Sequence, residues 1–428
     1  MLHTDNETVK KYILDGNFGL ERENLRVTED GRLSHSADLF QDDPCVMRDF
    51  CENQVEINTG VYSSIEEAID ELKVHSAKVQ KTLSELEKRE YLWPFSNPPY
   101  ILNEADIPIA QFYGDSSEKT DYRNYLADRY GRYKMTFSGI HFNFSFSEKL
   151  LQADFLQSEE SDFETYKEKL YMTLAERLSA YGWILNAITA ASPLMDKSFV
   201  EKGCFGNEFF CGMGSVRCSE LGYWNFFAPV FNYKSATDYV EGIQNYVDKE
   251  WIKYPSELYY PVRLKPKGDN MLENFNKNGI SHIELRMFDL NPLCDELIDA
   301  RDLHFAHLLI IWLMSDNYPS QSENNQVQTV QNFKNAARYD LKTVNIMFSN
   351  GKVLSVVDAA LALINNMKEF YSDYPEWIME ILEYQENKFI MPDERYAWKI
   401  RNQYRDNFVQ KGIELAKQLQ QKEIDNKC

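Results

Sequence analysis

The sequence has few basic residues for its acidic content. It contains 46 lysine and arginine residues against 67 aspartate and glutamate residues, and its formal net charge is −21. A protein that binds nucleic acid or an anionic membrane needs a basic face to neutralise phosphate groups. We therefore expect neither nucleic acid nor a membrane as the main partner.

Long apolar runs are also missing. The longest strongly apolar run, residues 308–314, is far shorter than the roughly eighteen residues that a membrane-spanning helix needs. The N-terminus shows no basic segment followed by an apolar one, which a secretory signal would require. The expected location is the cytoplasm.

The chain lacks the cysteine patterns of zinc ribbons and disulfide frameworks. Its seven cysteines form an odd set without a C-x-x-C pair. We predict free thiols in a reducing compartment.

The common loops that bind nucleotides or carry nucleophiles are absent. Neither G-x-x-x-x-G-K-[ST] nor a G-x-G-x-x-G after a strand occurs, and G-x-S-x-G is missing. If ATP binds, its phosphates must be held mainly by metal ions and basic side chains. A serine or cysteine nucleophile is not supported.

Apolar and aromatic residues are plentiful enough for a large core. Of 428 residues, 43% are hydrophobic and 14% aromatic, which fits one large domain or two. Helical spacing predicts helices at about 65–86, 162–192, 296–315, 353–371, 374–388 and 402–424. We predict a sheet-bearing core at about 1–315 and a helical C-terminal part at about 316–428 that packs against it, in a single catalytic domain.

Residues 19–27 concentrate charge in the order Gly-Leu-Glu-Arg-Glu-Asn-Leu-Arg-Val. In a strand, Glu21 and Glu23 share one face, while Arg22 and Arg26 share the other. Neighbouring carboxylates on a covered face repel each other unless a cation lies between them. The pair is therefore a metal-site candidate, and a solvated edge strand is the alternative.

Three further strand-like segments carry ligand-type side chains on one face. Residues 49–59 place Glu52 and Glu56 together, residues 137–146 present His141, and residues 282–290 present Glu284 beside Arg286. If these strands are neighbours, their oxygen-rich ligands favour magnesium, calcium or manganese over zinc. An arginine there can offset charge on a transferred phosphoryl group. The pattern indicates metal-assisted chemistry on a phosphate-bearing substrate.

Two other segments are candidates for binding. Residues 260–267 contain Arg263 and Lys265, which we predict to hold nucleotide phosphates; a solvated edge strand is the alternative. A glycine-rich stretch delivers Arg217 and Tyr223, and loops on a rigid scaffold often carry binding groups. A single arginine in a loop is also a common surface charge.

Six stretches, taken in order, resemble the bacterial type of glutamate–cysteine ligase, and especially the ligase domain of bifunctional glutathione-synthesising enzymes. They are Gly-Leu-Glu-Arg-Glu-Asn-Leu-Arg-Val (19–27), Asp-Phe-Cys-Glu-Asn-Gln-Val-Glu (49–56), Trp-Pro (93–94), Ser-Gly-Ile-His-Phe-Asn-Phe-Ser (138–145), Leu-Gly-Tyr (221–223) and Glu-Leu-Arg-Met-Phe-Asp-Leu-Asn-Pro (284–292). The resemblance implies ATP-dependent joining of the glutamate side-chain carboxylate to the amine of cysteine, through γ-glutamyl phosphate. The implied fold is α+β, with an antiparallel sheet curled into a funnel and surrounded by helices, as in glutamine synthetase.

The resemblance also implies roles for individual residues. Two or more Mg²⁺ ions would bind the set Glu21, Glu23, Glu52, Glu56, His141 and Glu284, with Asp49 as a weaker neighbour. Arg286 would stabilise the phosphoryl group during transfer. The amino-acid substrates would contact Arg217, Tyr223, Tyr122 and Arg123.

The sequence departs from the family pattern at two places. Met135 stands six residues before His141, where glutamine is expected, and Thr59-Gly60 replaces a Thr-Pro pair. A γ-glutamyl ligase that uses another amine is therefore the second hypothesis, and a non-catalytic binding relative is the third. No second ATP-grasp domain fits in this chain, so we do not expect it to complete glutathione synthesis. The sequence predicts no oligomeric state.

Overall fold

The computed structural model describes residues 1–201, 208–222, 224–315 and 321–425. Its strands are β1 (Gly16–Thr28), β2 (Val46–Arg48), β3 (Gln54–Asn58), β4 (Glu90–Leu92), β5 (Gly139–Phe146), β6 (Met195–Asp196), β7 (Glu208–Phe209), β8 (Val262–Pro266), β9 (Ile280–Asp289), β10 (Asn345–Met347) and β11 (Val353–Ser355). Its α-helices are α1 (Glu7–Tyr12), α2 (Ile65–Ser84), α3 (Glu118–Tyr130), α4 (Glu148–Phe155), α5 (Phe163–Tyr181), α6 (Trp183–Thr189), α7 (Ala236–Asp248), α8 (Leu272–Asn278), α9 (Ala300–Ser315), α10 (Glu323–Ala336), α11 (Val356–Phe370), α12 (Glu376–Ile390), α13 (Tyr396–Tyr404) and α14 (Phe408–Asp425).

One open antiparallel sheet organises the molecule. Its strand order is β2-β3-β1-β5-β9-β8, and β4 pairs with the C-terminal end of β1. Every pair of adjacent strands in this sheet is antiparallel. The four strands predicted to carry ligand-type residues are therefore consecutive neighbours, β3, β1, β5 and β9.

One face of the sheet is apolar and packs against helices. On β5, Ile140, Phe142, Phe144 and Phe146 are buried, as their alternation predicted. Helices α5 and α6 pack on β9, and α2 packs on β1. A one-residue slip would turn this apolar set toward the polar face, so the burial fixes the strand register and with it the position of every polar side chain.

Two arginines of β1 form ion pairs behind the sheet, on the face predicted for them. Arg22 is buried and lies 3.3 Å from a carboxylate oxygen of Glu296, and it also donates to Ser76 Oγ at 2.7 Å. Arg26 is buried 3.2 Å from Glu90 on β4. Both guanidinium groups therefore stabilise the scaffold on the face away from the ligand-type residues.

The helix predictions near 65–86, 296–315, 353–371 and 374–388 are confirmed, and the others need correction. Helix α2 begins after Ser64, whose hydroxyl accepts the backbone N–H of Glu67. The helix predicted at 162–192 divides at Gly182, where a β-carbon would lie 2.5 Å from the carbonyl of Leu178. The helix predicted at 402–424 is interrupted at residues 405–407, between α13 and α14. Helices α3, α4, α7, α8 and α10 were not predicted from the sequence. Among the described residues, no helix is both long and apolar enough to cross a membrane.

The cysteines that the structure describes are free, as predicted. They are Cys45, Cys51, Cys211, Cys218 and Cys294. Cys204 and Cys428 lie outside the described residues.

Candidate active site

A cavity of about 270 Å³ lies over the polar face of the sheet. Its wall draws on β1, β3, β5, β8 and β9, on helices α3, α6 and α10, and on the segments around residues 49, 217 and 260. Its charged lining residues are the carboxylates Glu21, Glu23, Asp49, Glu56 and Glu284, and the cations Arg123, Arg217, Arg263, Lys265 and Arg286. Five acidic and five basic side chains thus surround one space.

The strand register accounts for this convergence. Glu21 on β1 stands opposite His141 on β5, and Glu23 stands opposite Glu56 on β3. On β9, Glu284 stands opposite Arg263 of β8. Residues that are directly opposite on one face have their β-carbons about 4.5–5.5 Å apart, so the sheet itself brings the ligand-type groups into contact.

Glu21, His141 and Glu284 form the first group that could hold a metal ion, with one ligand atom of each within 4.8 Å of the others. His141 Nδ1 lies 2.8 Å from Glu21 and 3.6 Å from Glu284. Asn143 donates to the second oxygen of Glu21 at 2.9 Å. Within the described part of the chain, His141 Nε2 and Glu284 Oε2 are buried without a hydrogen-bond partner. Free lone pairs on such atoms suit a bound cation.

Glu23, Asp49 and Glu56 form a second such group under the same criterion. Burial raises the pKa of Glu56 well above its ordinary value, and the nearby Asp49 and Glu21 raise it further. Burial also raises the pKa of Glu23, against the opposing effect of His141. A divalent cation bound between these carboxylates would balance their charge and lower both pKa values. The donor set fits magnesium because it consists entirely of oxygen ligands.

Glu284 differs from the second group because cations surround it. Arg286 Nη1 lies 3.1 Å and Lys265 Nζ 3.2 Å from its Oε1. Burial disfavours its charged form, but Arg286 and Lys265 outweigh burial and hold the pKa of Glu284 well below its ordinary range. Burial in turn opposes the charge of Arg286, but Glu284 overcomes this and raises the pKa of Arg286. Both groups are therefore ionised.

A β-bulge in β9 brings Met287 to the cavity beside Arg286. One residue of β5, His141, separates Ile140 from Phe142, whereas two residues of β9 separate their partners Leu285 and Phe288. The extra residue lets Arg286 and Met287 both line the cavity.

Arg217 packs directly against the backbone of the sheet. A β-carbon on Gly139 would lie 2.1 Å from the Cζ atom of Arg217, and one on Gly222 would lie 1.6 Å from its carbonyl oxygen. Nη1 donates to the carbonyl of Phe288 at 3.3 Å. Nε has no hydrogen-bond partner among the described residues. Glycine at position 139 thus makes room for a buried guanidinium that retains donors for a ligand.

Helix α3 contributes Tyr122 and Arg123. Arg123 Nε donates to the carbonyl of Asp49 at 2.6 Å. Burial raises the pKa of Tyr122 to about 12, so its hydroxyl is protonated and can donate a hydrogen bond at neutral pH. Arg263 donates to the carbonyl of Leu258 and also lines the cavity.

Glu52 is not placed with the ligand-type residues, which corrects the strand assignment. The chain turns at residues 52–53 and β3 begins only at Gln54, so the alternation does not extend back to Glu52. Its carboxylate pairs with Arg48 at 2.7 Å and does not line the cavity. Asp49 occupies the place in the second group that we expected Glu52 to take. The predicted binding residue Tyr223 lies outside the described residues.

Several residues of the site escaped the sequence prediction. Asn143 shares the polar face of β5 with His141, and that shared face was the available signal for its contact with Glu21. Met287 reaches the cavity only because of the bulge, which no spacing in the sequence reveals. Phe333 comes from α10, far away along the chain.

Comparison with known proteins places the chain in a family. Residues 2–256 and 247–336 match the family described as glutamate-cysteine ligase. The glutathione biosynthesis bifunctional protein of Listeria welshimeri is 33% identical over 93% of this chain and 53% of its own length. That of Clostridium perfringens is 30% identical over 96% of this chain and 53% of its own length. The chain therefore spans about half the length of these relatives.

Solved structures share the fold. The glutamate–cysteine ligase of Francisella tularensis, determined in complex with AMP, has a TM-score of 0.85 at 22% identity and covers 96% of this chain and 89% of its own. The bifunctional glutathione synthetase of Pasteurella multocida has a TM-score of 0.81 at 26% identity, over 97% of this chain and 54% of its own. The expected α+β fold and the resemblance are both confirmed, and the chain belongs to the glutamate–cysteine ligase family.

Proposed function

We propose that this chain joins the side-chain carboxylate of glutamate to the amine of cysteine with the hydrolysis of ATP to ADP and phosphate. Phosphorylation of the carboxylate gives γ-glutamyl phosphate, the amine attacks its carbonyl carbon, and phosphate leaves. The observation that carries the proposal is one cavity in which two metal-capable acidic groups adjoin Arg286 and Lys265. Family membership supports the same reaction.

The acidic groups are the proposed magnesium ligands. One set consists of Glu21, His141 and Glu284, and the other of Glu23, Asp49 and Glu56. Bound magnesium would neutralise the triphosphate and let the two anionic substrates approach each other. Glu52 is not among the proposed ligands because Arg48 pairs with its carboxylate.

The cations have complementary proposed roles. Arg286 lies beside Glu284 and would stabilise the equatorial oxygens of the phosphoryl group in transfer. Lys265 and Arg263 would contact the phosphates of ATP. Arg217 and Arg123 would bind the carboxylates of the amino acids, with Tyr122 beside Arg123 on α3. Tyr223, outside the described residues, stays a predicted substrate contact.

We also infer that residues 1–428 act as one catalytic unit. Phe333 of α10 lines the cavity, although it lies in the helical C-terminal part. The backbone of Gly214 donates to the carbonyl of Ala337 at 2.7 Å, close to the segment that carries Arg217. Contacts of this kind support a single domain with the sheet-bearing core at about 1–315.

The direct test measures ADP release by the purified chain with ATP, magnesium, glutamate and a panel of amines. We expect cysteine to stimulate release above every other amine, and mass spectrometry to identify γ-glutamylcysteine. If cysteine gives no stimulation above the other amines, the choice of acceptor is wrong. If no amine stimulates release, the ligase proposal is wrong.

The panel also tests the second candidate, a γ-glutamyl ligase for another amine. Met135 favours it, since this side chain lines the cavity and lacks the amide that the family resemblance leads us to expect there. A thioether packs against apolar groups and accepts hydrogen bonds only weakly. Under this alternative an amine with a larger apolar side chain gives the highest kcat/KM, and Met135→Gln shifts the preference toward cysteine.

Gly139→Ala tests the packing of Arg217. The new methyl group would overlap the guanidinium, so Arg217 must move. A displacement of about 1 Å can cost about a hundredfold in rate, so we expect a loss of that order in kcat/KM for an amino-acid substrate. Gly242→Ala is the control, because no atom lies within 4 Å of its added β-carbon. Normal kinetics of Gly139→Ala would mean that the position of Arg217 does not matter for catalysis.

A further inference from the structure

The carboxylate of Glu52 accepts four hydrogen bonds from three groups. Arg48 Nη1 lies 2.7 and 2.8 Å from its two oxygens. The backbone N–H of Asp38 donates to Oε1 at 3.1 Å, and that of Gln111 donates to Oε2 at 3.0 Å. Glu52 therefore ties three separate segments of the chain together.

Arg48 continues this network. Its Nε lies 2.9 Å from Asp38, and its Nη1 also donates to the carbonyl of Gln111 at 3.0 Å. Its guanidinium carbon stands 4.4 Å from the ring centre of Phe112. Only 13% of the Arg48 side chain is exposed, so salt and water screen these contacts weakly.

Phe112 is shared with a cavity residue. The guanidinium carbon of Arg123 lies 4.6 Å from the centre of the same ring. Its Nε donates to the carbonyl of Asp49, and its Nη2 donates to the carbonyl of Arg48 at 3.4 Å. Lys119 Nζ also lies 5.5 Å from the ring centre. Cations that share one ring repel each other, and the charges of Glu52 and Asp38 offset that of Arg48.

The hydrogen bonds of Arg123 leave donors for a ligand. Among the described residues it donates only to backbone carbonyls, those of Arg48, Asp49 and Lys119. A guanidinium has five N–H donors, so part of the fork is available to a carboxylate. No carboxylate side chain of the described residues hydrogen-bonds Arg123. Its orientation therefore depends on the backbone of residues 48–49, on the carbonyl of Lys119 in its own helix and on Phe112.

We propose that Glu52 is a positioning residue, which with Arg48 and Phe112 fixes the guanidinium of Arg123 at the cavity wall for an amino-acid carboxylate. The substrate part of this proposal rests on the proposed ligase function. The same network holds the backbone of Asp49, so it acts next to the second acidic group without supplying a ligand to it.

The first test uses Glu52→Gln, which keeps the shape and removes the charge. An amide offers one acceptor oxygen, so one of the two backbone N–H groups loses its partner. Arg48 loses its ion pair with Glu52 and keeps the one with Asp38. We expect KM for glutamate or cysteine to rise about tenfold, while kcat and KM for ATP change less than about twofold. Arg48→Met removes the same pair from the other side and replaces Glu52→Gln if that variant does not fold.

A double-mutant cycle separates positioning from general destabilisation. If Glu52 acts through Arg123, Glu52→Gln adds little to the KM of Arg123→Lys. Additive effects would overturn the proposal. Direct titration with Mn²⁺ checks the alternative that Glu52 is a metal ligand: we expect wild-type affinity in Glu52→Gln and weakened binding in Glu56→Gln. Equal loss of Mn²⁺ binding in both variants would also overturn it.

Chemical modification of arginine needs no turnover, so it tests the positioning role of Glu52 independently of the ligase proposal. Phenylglyoxal modifies accessible arginines, and peptide mapping gives the rate at Arg123 alone. We expect that rate to rise several-fold in Glu52→Gln and to stay unchanged in Glu29→Gln, whose carboxylate is 76% exposed on the surface. An unchanged rate in Glu52→Gln would refute the positioning role even in an active enzyme. An increased rate in a chain without ligase activity would refute only the proposed function.

Discussion

Replacement of Arg286 by alanine is expected to lower substrate-stimulated ADP release by about 10²- to 10³-fold. Arg286 is the cation closest to Glu284 in the cavity, with Nη1 at 3.1 Å, and its charge also acts on Glu23. During phosphoryl transfer negative charge spreads over oxygens that a fixed guanidinium can bind. The loss is expected in kcat, because the interaction strengthens in the transition state. Steady-state kinetics with saturating ATP and glutamate measure it.

Two control variants test whether the loss of rate is specific to the guanidinium of Arg286. Arg286→Lys keeps the charge without the planar fork, so it should recover part of the lost rate. Arg32→Ala removes a surface guanidinium whose side chain is 60% exposed, and it should leave the rate unchanged. Trapping of γ-glutamyl phosphate with hydroxylamine shows which step fails. Wild-type hydroxamate formation in Arg286→Ala would contradict a role in phosphoryl transfer.

Glu21→Gln is expected to weaken binding of one divalent cation by about ten- to a hundredfold, the range that loss of even a supporting contact produces at metal sites. The amide keeps the shape of the carboxylate and can still meet Asn143, but it removes a negative charge from the group with His141 and Glu284. Titration with Mn²⁺, followed by the paramagnetic signal of the free ion, measures both affinity and stoichiometry. Activity should return in part at high magnesium.

Glu29→Gln is the matched control, since it makes the same chemical change at an exposed surface ion pair with Lys417. It should bind Mn²⁺ as the wild type does. If Glu21→Gln also binds Mn²⁺ with unchanged affinity and stoichiometry, Glu21 is not a metal ligand. The defects of Glu21→Gln and Arg286→Ala are distinguishable, because only the activity of Glu21→Gln should recover as the magnesium concentration rises.

Much of the polar wall of the cavity could be predicted from strand alternation. The period of two in β1 and β5 places Glu21, Glu23 and His141 on one face, with buried phenylalanines of β5 opposite. The same argument assigned Arg22 and Arg26 to the other face, where the structure finds them paired. Alternation is reliable in these strands because one face is fully covered and the register is therefore fixed.

The same argument was wrong for residues 49–53, because β3 begins later in the sequence than its alternation suggested. Residues 49–53 continue the alternation of β3 in sequence, but the chain turns at residues 52–53. Asp49 reaches the second acidic group from outside the strand, and Glu52 pairs with Arg48. Where a strand begins or ends depends on which neighbouring strand can hydrogen-bond its backbone, and that neighbour can come from a distant part of the chain.

The sequence by itself determined the family and the faces of the strands. Of the six residues that it predicted to bind metal, five line one cavity: Glu21, Glu23, Glu56, His141 and Glu284. These follow from local alternation and from ordered motifs, which need no knowledge of neighbours. Only the tertiary structure decided the strand order, the bulge that brings Met287 to the cavity, the packing of Arg217 on Gly139 and the position of Glu52. Each of these depends on contacts between segments that are far apart along the chain, and the period of a single segment carries no information about them.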